Sequence, residues 1–272
     1  MASVNTNYGA SIALQNLNKT NSELERTQNR INTGMKVSSA KDSGAIFAIA
    51  TSQRAAASAQ DSVRSSIQRG QSIVDVALAA GDTITAALEE MKGLAVSIAG
   101  STGSAKTSYE NEFAALGQEI KSALDGASFD GVNLLKTAST GGTAVNVRIG
   151  TGATDTKTIG ITTDLSANTD LAKFTAASPT VADFTSANVD LVMTAVTTAL
   201  STLGTQSKSL GRQISFVNKL QDALEAGVGN LVDADLAKES AKLTALQTKQ
   251  QLGVQALSIA NSSSQTVLSL FR

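Results

Sequence analysis

The sequence predicts a mainly α fold: a long antiparallel coiled-coil helical rod with a small β-hairpin region, plus a unit in which the N- and C-terminal helices pair. Three observations carry this prediction. Apolar or small residues keep a 3-4 spacing for about eight heptads across residues 42–99, the mark of a coiled-coil seam. A single proline, Pro179, occurs in 272 residues, so little interrupts the helices. Between the helical stretches, Val145, Val147 and Ile149 alternate with polar residues, and Ile159 and Ile161 do so again, with the period of a strand.

The first helix follows from Ala10, Ala13, Leu17, Leu24 and Ile31, with Thr20 and Thr27 filling the intermediate seam positions. Thr33-Gly34 is its expected stop. So thin a seam does not hold a helix by itself.

The second helix places Ile49, Ala56, Val63, Gly70, Ala77, Ile84, Met91 and Ile98 at one heptad position. Ile67, Val74, Gly81, Leu88 and Ala95 occupy the other. Glycine costs a helix interior about 1 kcal/mol relative to alanine. Gly70 and Gly81 are therefore expected to serve close packing of a neighbouring helix in the rod, with helix breaks as the alternative. After the turn material of residues 100–104, Tyr109, Phe113, Leu116, Ile120, Ala123 and Ala127 resume the seam in a helix folded back on the second.

The turn-rich residues 150–155 close the hairpin. Residues 168–186, rich in Ser, Thr and Ala, are expected to form an exposed loop or a small cap at the outer end of the rod. A third seam then runs through Val189, Val192, Val196, Leu200, Leu203, Leu210, Ile214, Val217, Leu224 and Val228, interrupted by polar Ser207 and Gln221.

The last helix differs from the others. Asp233 and Asp235 precede it and suit the positive end of its dipole. Its apolar residues form two opposed stripes: Leu252, Ala256, Ile259, Val267 and Leu270 on one side, and Val254, Leu257, Leu268 and Phe271 about 180° away. One neighbour cannot cover both. Pairing with the first helix leaves a second face for other copies of the chain, so the function expected is assembly. The expected interface residues are Leu17, Leu24 and Ile31 with Leu252, Val254, Leu257, Ile259, Leu268, Leu270 and Phe271. In a free monomer both ends are expected to be largely disordered. The domain division expected is residues 1–40 and 232–272 for the paired terminal unit and residues 41–231 for the rod, with the hairpin region at about 129–186; the family resemblance given below implies that the first is the inner filament core and the second an outer layer.

Composition narrows the function. His, Cys and Trp are all absent, which removes disulfides, the usual zinc ligands and the commonest nucleophiles and bases. Asp82, Glu89 and Glu90 read as solvated helix faces. No catalytic, cofactor or metal site is expected. The balance of 22 basic against 23 acidic residues has no basic cluster for phosphates or an anionic membrane, so neither nucleic acid nor membrane is an expected partner. Residues 1–18 have no leader-like pattern, so an extracellular role would require another export route.

The motifs along the chain resemble bacterial flagellins, most closely the short alphaproteobacterial ones such as those of Caulobacter. They include Arg30-Ile-Asn-Thr-Gly34 with Ser39-Ala-Lys-Asp42, Arg69-Gly-Gln-Ser-Ile73, Phe129-Asp-Gly131 with Leu134-Leu135, and Val147-Arg-Ile-Gly150. Asp233-Ala-Asp235 with Glu239 and the stretch from Gln255-Ala-Leu257 to Val267-Leu-Ser-Leu270 complete the pattern. The resemblance implies a non-enzymatic structural subunit of an extracellular filament used for swimming. It implies export, unfolded, by the flagellar type III apparatus through the filament channel, and addition at the tip. The implied partners are other copies of the chain, possible co-assembling flagellins, hook-filament junction proteins, a filament cap and an export chaperone binding near the C-terminus. A hook-filament junction protein and a cytoplasmic coiled-coil signalling protein are the alternatives.

Overall fold

The computed structural model describes residues 7–136, 145–162, 164–177 and 179–269. Its elements are α1 (Tyr8–Thr33), α2 (Gly44–Gly100), α3 (Gly103–Gly126), β1 (Val145–Arg148), β2 (Thr156–Ile159), α4 (Thr169–Thr175), α5 (Ser186–Val232) and α6 (Leu236–Ser269), with a single 3-10 turn at Val181–Asp183. Contacts divide the chain into two compact units. The central unit is Ala56–Asp222, and the terminal unit combines the described residues up to Ala55 with those from Ala223. The divisions therefore fall inside α2 and α5, whereas residues 40/41 lie in the connection between α1 and α2 and residues 231/232 are the last two of α5.

In the central unit the α2 seam from Val63 to Ile98 is buried at every expected position, Gly70 and Gly81 included. α2 runs through both glycines without a break. A β-carbon at Gly70 would overlap the Val147 side chain of β1, and one at Gly81 would overlap Leu200 of α5. The close approach is thus made by side chains of the same chain, and only one of the two comes from a helix. α2 and α5 are antiparallel, as three level contacts show: Gly81 with Leu200, Lys92 Nζ with Asp190 Oδ1 at 2.6 Å, and Arg64 Nη1 with Gln221 Oε1 at 3.1 Å. The polar interruption Gln221 also donates to Asp61 Oδ1 at 3.3 Å. It fills its seam position with hydrogen bonds that fix register.

The hairpin pairs Val145 with Ile159 and Val147 with Lys157. Val147 and Ile159 point into the core. Its outer edge would leave backbone groups unpaired, but α5 supplies partners from one face. Gln206 both donates to Gly160 O at 2.8 Å and accepts from Gly160 N at 2.9 Å, and Gln213 donates to Ile149 O at 2.9 Å. Lys157 reaches Ser209 on the same face.

Phe129-Asp-Gly-Val132 is a tight reversal with positive φ at Asp130 (53°) and Gly131 (75°), closed by reciprocal backbone bonds between Phe129 and Val132. Asp130 pairs there with Arg69 of α2. The next residues enter the core: Leu134 and Leu135 are buried, and buried Asn133 donates to Leu124 O at 2.7 Å.

Residues 168–186 do not form an exposed loop. Asn168 caps α4 by accepting from Asp170 N and Leu171 N, and Leu171, Phe174 and Phe184 are buried. Phe113 of α3 meets Phe174 edge-on at 5.3 Å and stacks on Phe184 at 4.2 Å, centroid to centroid. The Ser- and Thr-rich composition concealed three apolar anchors, and these make the segment a cap.

The least yielding junction is Gly117 of α3, where a β-carbon would overlap the backbone oxygen of Phe174 rather than the end of a flexible side chain. Gly117→Ala should destabilise the monomer by about 1–3 kcal/mol through overpacking, despite its better helix propensity. Gly211→Ala, where no atom lies within 4 Å, should be neutral or stabilising by up to about 1 kcal/mol. Thermal unfolding of dilute monomer, followed by circular dichroism, checks the contrast; equal effects would contradict it.

Candidate assembly surface

The terminal unit is built on α1 and α6. Asn7 starts α1, its side chain accepting from Ala10 N at 3.0 Å, and Gly34 ends it in the left-handed region at φ 69°. Asp235 Oδ1 accepts from Lys238 N at 3.1 Å in the first turn of α6. The two helices are antiparallel. Asn7 Nδ2 donates to Ala260 O at 2.8 Å, Gln250 Nε2 to Asn21 Oδ1 at 2.8 Å, and Arg30 Nη1 to Glu239 Oε1 at 3.0 Å.

Close approach is allowed by small residues, since Leu17 lies against Gly253 and Gly9 faces Ala260. The partly or fully buried positions of α6 are Glu239, Leu243, Leu246, Gln250, Gly253, Leu257 and Ala260, a regular 3-4 stripe. Four of these seven, Glu239, Gln250, Gly253 and Ala260, are polar or small.

Arg30 lies in the last turn of α1 and Glu239 in the first turn of α6, so each complements its helix dipole. Their side chains are 25% and 12% exposed. The contact is a single bond, and Arg30 Nε and Glu239 Oε2 are buried without hydrogen-bond partners. Close by, Lys36 N and Val37 N both donate to Val232 O, and Ala234 N donates to Gly34 O. These bonds tie the two connections together above a small core of Val37, Ala50, Val228 and Val232. In the same connection, Asp42 Oδ2 receives Ser38 N and Ser39 N at 3.1 Å each, together with both serine hydroxyls. The Ser39 N–H above all, then the Ser38 and serine hydroxyl bonds, hold the Asp42 carboxyl below the usual range.

Burial is sparse along the pair itself. Among the described residues, Thr27 alone is fully buried in α1, and Leu246 alone in α6. Exposed instead are Leu252 (58%), Val254 (53%) and Ile259 (68%) on α6, and Tyr8 (79%), Ile12 (42%) and Leu14 (48%) on α1. Leu252, Val254 and Ile259 are three of the residues expected to meet other copies. Leu257 is half-buried on the α1-facing stripe. Leu17, Leu24 and Ile31 are half-buried on the α1 stripe that contains Thr27, so much of their apolar surface is already used within the chain. The side chain of Leu268, and residues Leu270 and Phe271, lie outside the described ones. Tyr8, Ile12 and Leu14 escaped the sequence reading because they fall off the α1 seam, and an apolar residue off a seam resembles ordinary surface. No described helix is long and apolar enough to cross a membrane.

Residues 4–140 match the bacterial flagellin N-terminal helical region, and residues 186–271 match the bacterial flagellin C-terminal helical region. The chain belongs to the bacterial flagellin family. It is 50% identical to flagellin FljK of Caulobacter vibrioides over 273 residues, covering 99% of this chain and 98% of that protein. It is 42% identical to a flagellin of Brucella melitensis over 284 residues, covering the whole of both. A looser likeness is to the solved structure of Bacillus cereus flagellin, with a TM-score of 0.39 and 21% identity over 58% of this chain and 86% of that one. As a flagellin, the chain is a structural subunit that polymerises with its own kind into the extracellular flagellar filament. The exposed apolar surface of α1 and α6 belongs to a protein that meets copies of itself.

The Asp42 geometry yields a pH prediction. Its folded pKa is lowered, so its contribution is complete above the ordinary aspartate range and is lost as pH falls through the lowered value. A carbon-13 titration of the Asp42 carboxyl in monomer should give a midpoint below that of a model aspartate. The Ser38 and Ser39 amide resonances should move with it. In Asp42→Asn those amides should show no such step; an ordinary Asp42 midpoint would contradict the assignment.

Proposed function

We propose that filament assembly is driven by burial of exposed Leu252 and Ile259 on one side of α6, and of Val254 on another, against neighbouring copies. The sequence assigns Leu257, Leu268, Leu270 and Phe271 to the same subunit interface, and exposed Tyr8, Ile12 and Leu14 of α1 add to it. The observation that carries this reading is the exposure of Leu252, Val254 and Ile259 on a helix whose other side is already taken by α1. Leu17, Leu24 and Ile31 act on the interface chiefly by holding α1 to α6. The terminal unit forms the inner core of the filament and the central unit its outer layer, with Gly70 and Gly81 permitting close packing within the latter. The contact is heterologous, so it repeats without closing. The chain carries out no catalysis of its own.

A helix pair with so few fully buried side chains is marginal in isolation. This suits a chain that passes partly unfolded through the flagellar type III export apparatus and the filament channel, to be added at the tip beneath a cap. A C-terminal-binding export chaperone covers the exposed apolar residues of α6 before export. Hook-filament junction proteins present a similar surface to the first subunits laid down, and other flagellins co-assemble.

Ile259→Asp should abolish seeded polymerisation, or raise the critical concentration at least tenfold, because burying a large apolar side chain contributes about 1.5–3 kcal/mol and burying a carboxylate costs more. Circular dichroism should show the helix content of the monomer retained. Sedimentation and electron microscopy provide the measurement, and filaments of normal length and yield would overturn the assignment. Limited proteolysis should remove α1 and α6 from monomer and spare both in polymer.

A further inference from the structure

The central unit carries two outward helix faces of opposite charge that find no partner among the described residues. On α2, Asp75, Asp82 and Glu89 are spaced seven residues apart, with Ala79 and Ala86 between them and Gly93 one step beyond. All six are exposed, on the side of the helix opposite its buried seam. The sequence reading takes Asp82 and Glu89 as solvated. The 4-3-4-3-4 spacing of the six, however, is that of a second seam, with small residues forming holes and acids on the ridge.

On α5, Lys208, Arg212 and Lys219 are likewise exposed and opposite the buried seam, on one face with Ser201, Thr205 and Ser215. Ser201, Thr205, Lys208, Arg212, Ser215 and Lys219 repeat the same 4-3 spacing. Phe216, 56% exposed, stands beside them. Among the described residues, none of the three acids and none of the three bases takes part in an ion pair or side-chain hydrogen bond. Other exposed charges of the unit do pair, as Lys92 does with Asp190 and Asp125 with both Lys121 and Lys136.

We propose that the acidic α2 face of one copy docks on the basic α5 face of the next, as a second, charge-matched subunit contact in the filament. The proposal rests on self-assembly and adds to it a contact outside the terminal helices. We take the helices to lie along the filament axis; a screw operation then preserves their polarity, and because α2 and α5 are antiparallel within the chain the two faces meet antiparallel. In that sense the seven-residue interval Asp75 to Asp82 matches the interval Arg212 to Lys219, each about 10.5 Å along a helix. Asp82 then faces Arg212 and Asp75 faces Lys219. Glu89 falls three residues, about 4.5 Å, from level with Lys208, within the reach of a flexible lysine. The small residues of the α2 face admit the neighbouring helix, and Phe216 brings an apolar knob to the contact. The two faces differ, so the contact is heterologous and leaves both surfaces free at the ends for further copies.

Charge reversal tests this in the full chain. Asp75→Lys/Asp82→Lys/Glu89→Lys makes both faces basic, and Lys208→Glu/Arg212→Glu/Lys219→Glu makes both acidic. Each alone should raise the critical concentration of seeded assembly by about tenfold, since three exposed pairs contribute modestly and like charges repel. The chain with all six reversals should return to within about threefold of the unmodified protein, and the two triple variants should polymerise when mixed. Wild-type assembly should weaken as sodium chloride is raised. Triple variants that assemble as well as wild type, or a six-fold variant no better than either, would overturn the proposal. If Ile259→Asp still blocks assembly in that case, the terminal-helix reading survives and only this contact falls. Circular dichroism of each monomer separates loss of docking from loss of fold.

Discussion

Two helices touch along one line, and a helix with apolar residues on more than one side cannot bury them against a single neighbour. That constraint governs α6. Its α1-facing stripe contains Glu239, Gln250, Gly253 and Ala260, while Leu252, Val254 and Ile259 remain outside. The contact surface that α1 and α6 share is therefore cheap in apolar area and rich in specific polar bonds, from Asn7 at one end to Arg30 and Glu239 at the other. Leu252, Val254 and Ile259 are left exposed on the chain.

The central unit solves the opposite problem. There α2, α3, α5 and the hairpin share one apolar cluster, joined by Leu171, Phe174 and Phe184, and the polar side chains at its margins are mostly satisfied internally. Gln206 and Gln213 complete backbone bonding at the hairpin, Gln221 joins Asp61 and Arg64, and Asn133 bonds to the end of α3. A unit closed in this way keeps its fold without neighbours, so its remaining exposed features can be used for association without cost to its own stability.

Legibility in the sequence followed the period of the apolar pattern. The α2 seam could be read almost residue by residue, because burial against several partners demands an unbroken 3-4 repeat. The hairpin could be read because Val147 and Ile159 point to one side on a period of two. The Gly34 stop could be read from chemistry alone. The α1-facing side of α6 could not, because close helix approach there uses glycine, alanine and polar bonds, which leave no apolar period. The two stripes of α6 were visible, but which residues α1 would occupy was not. For residues 168–186 the sequence left an exposed loop and a small cap both open for a related reason: Leu171, Phe174 and Phe184 are too few and too irregularly spaced to stand out from a Ser- and Thr-rich background. The cap exists because α3 offers Phe113 and the gap at Gly117, a tertiary circumstance invisible locally.

Apolar burial and charge make different contributions to a polymer of identical subunits. Burial of Leu252, Val254 and Ile259 would supply most of the free energy, but it is non-directional and tolerates small slips. A filament needs every subunit in a defined register, and register is set by groups whose pairing fails when displaced. Within the chain that role falls to Arg30 with Glu239, Gln221 with Asp61 and Arg64, and Asp130 with Arg69. Each lies at the margin of an apolar contact. The same division extends naturally to contacts between chains: apolar stripes on helices that gain their full burial only on arrival, and charged ridges on a unit already folded. A weakly held helix pair and a firmly closed central unit then become complementary requirements. The pair must be loose enough to be completed by its neighbours, and the closed unit rigid enough to fix where they sit.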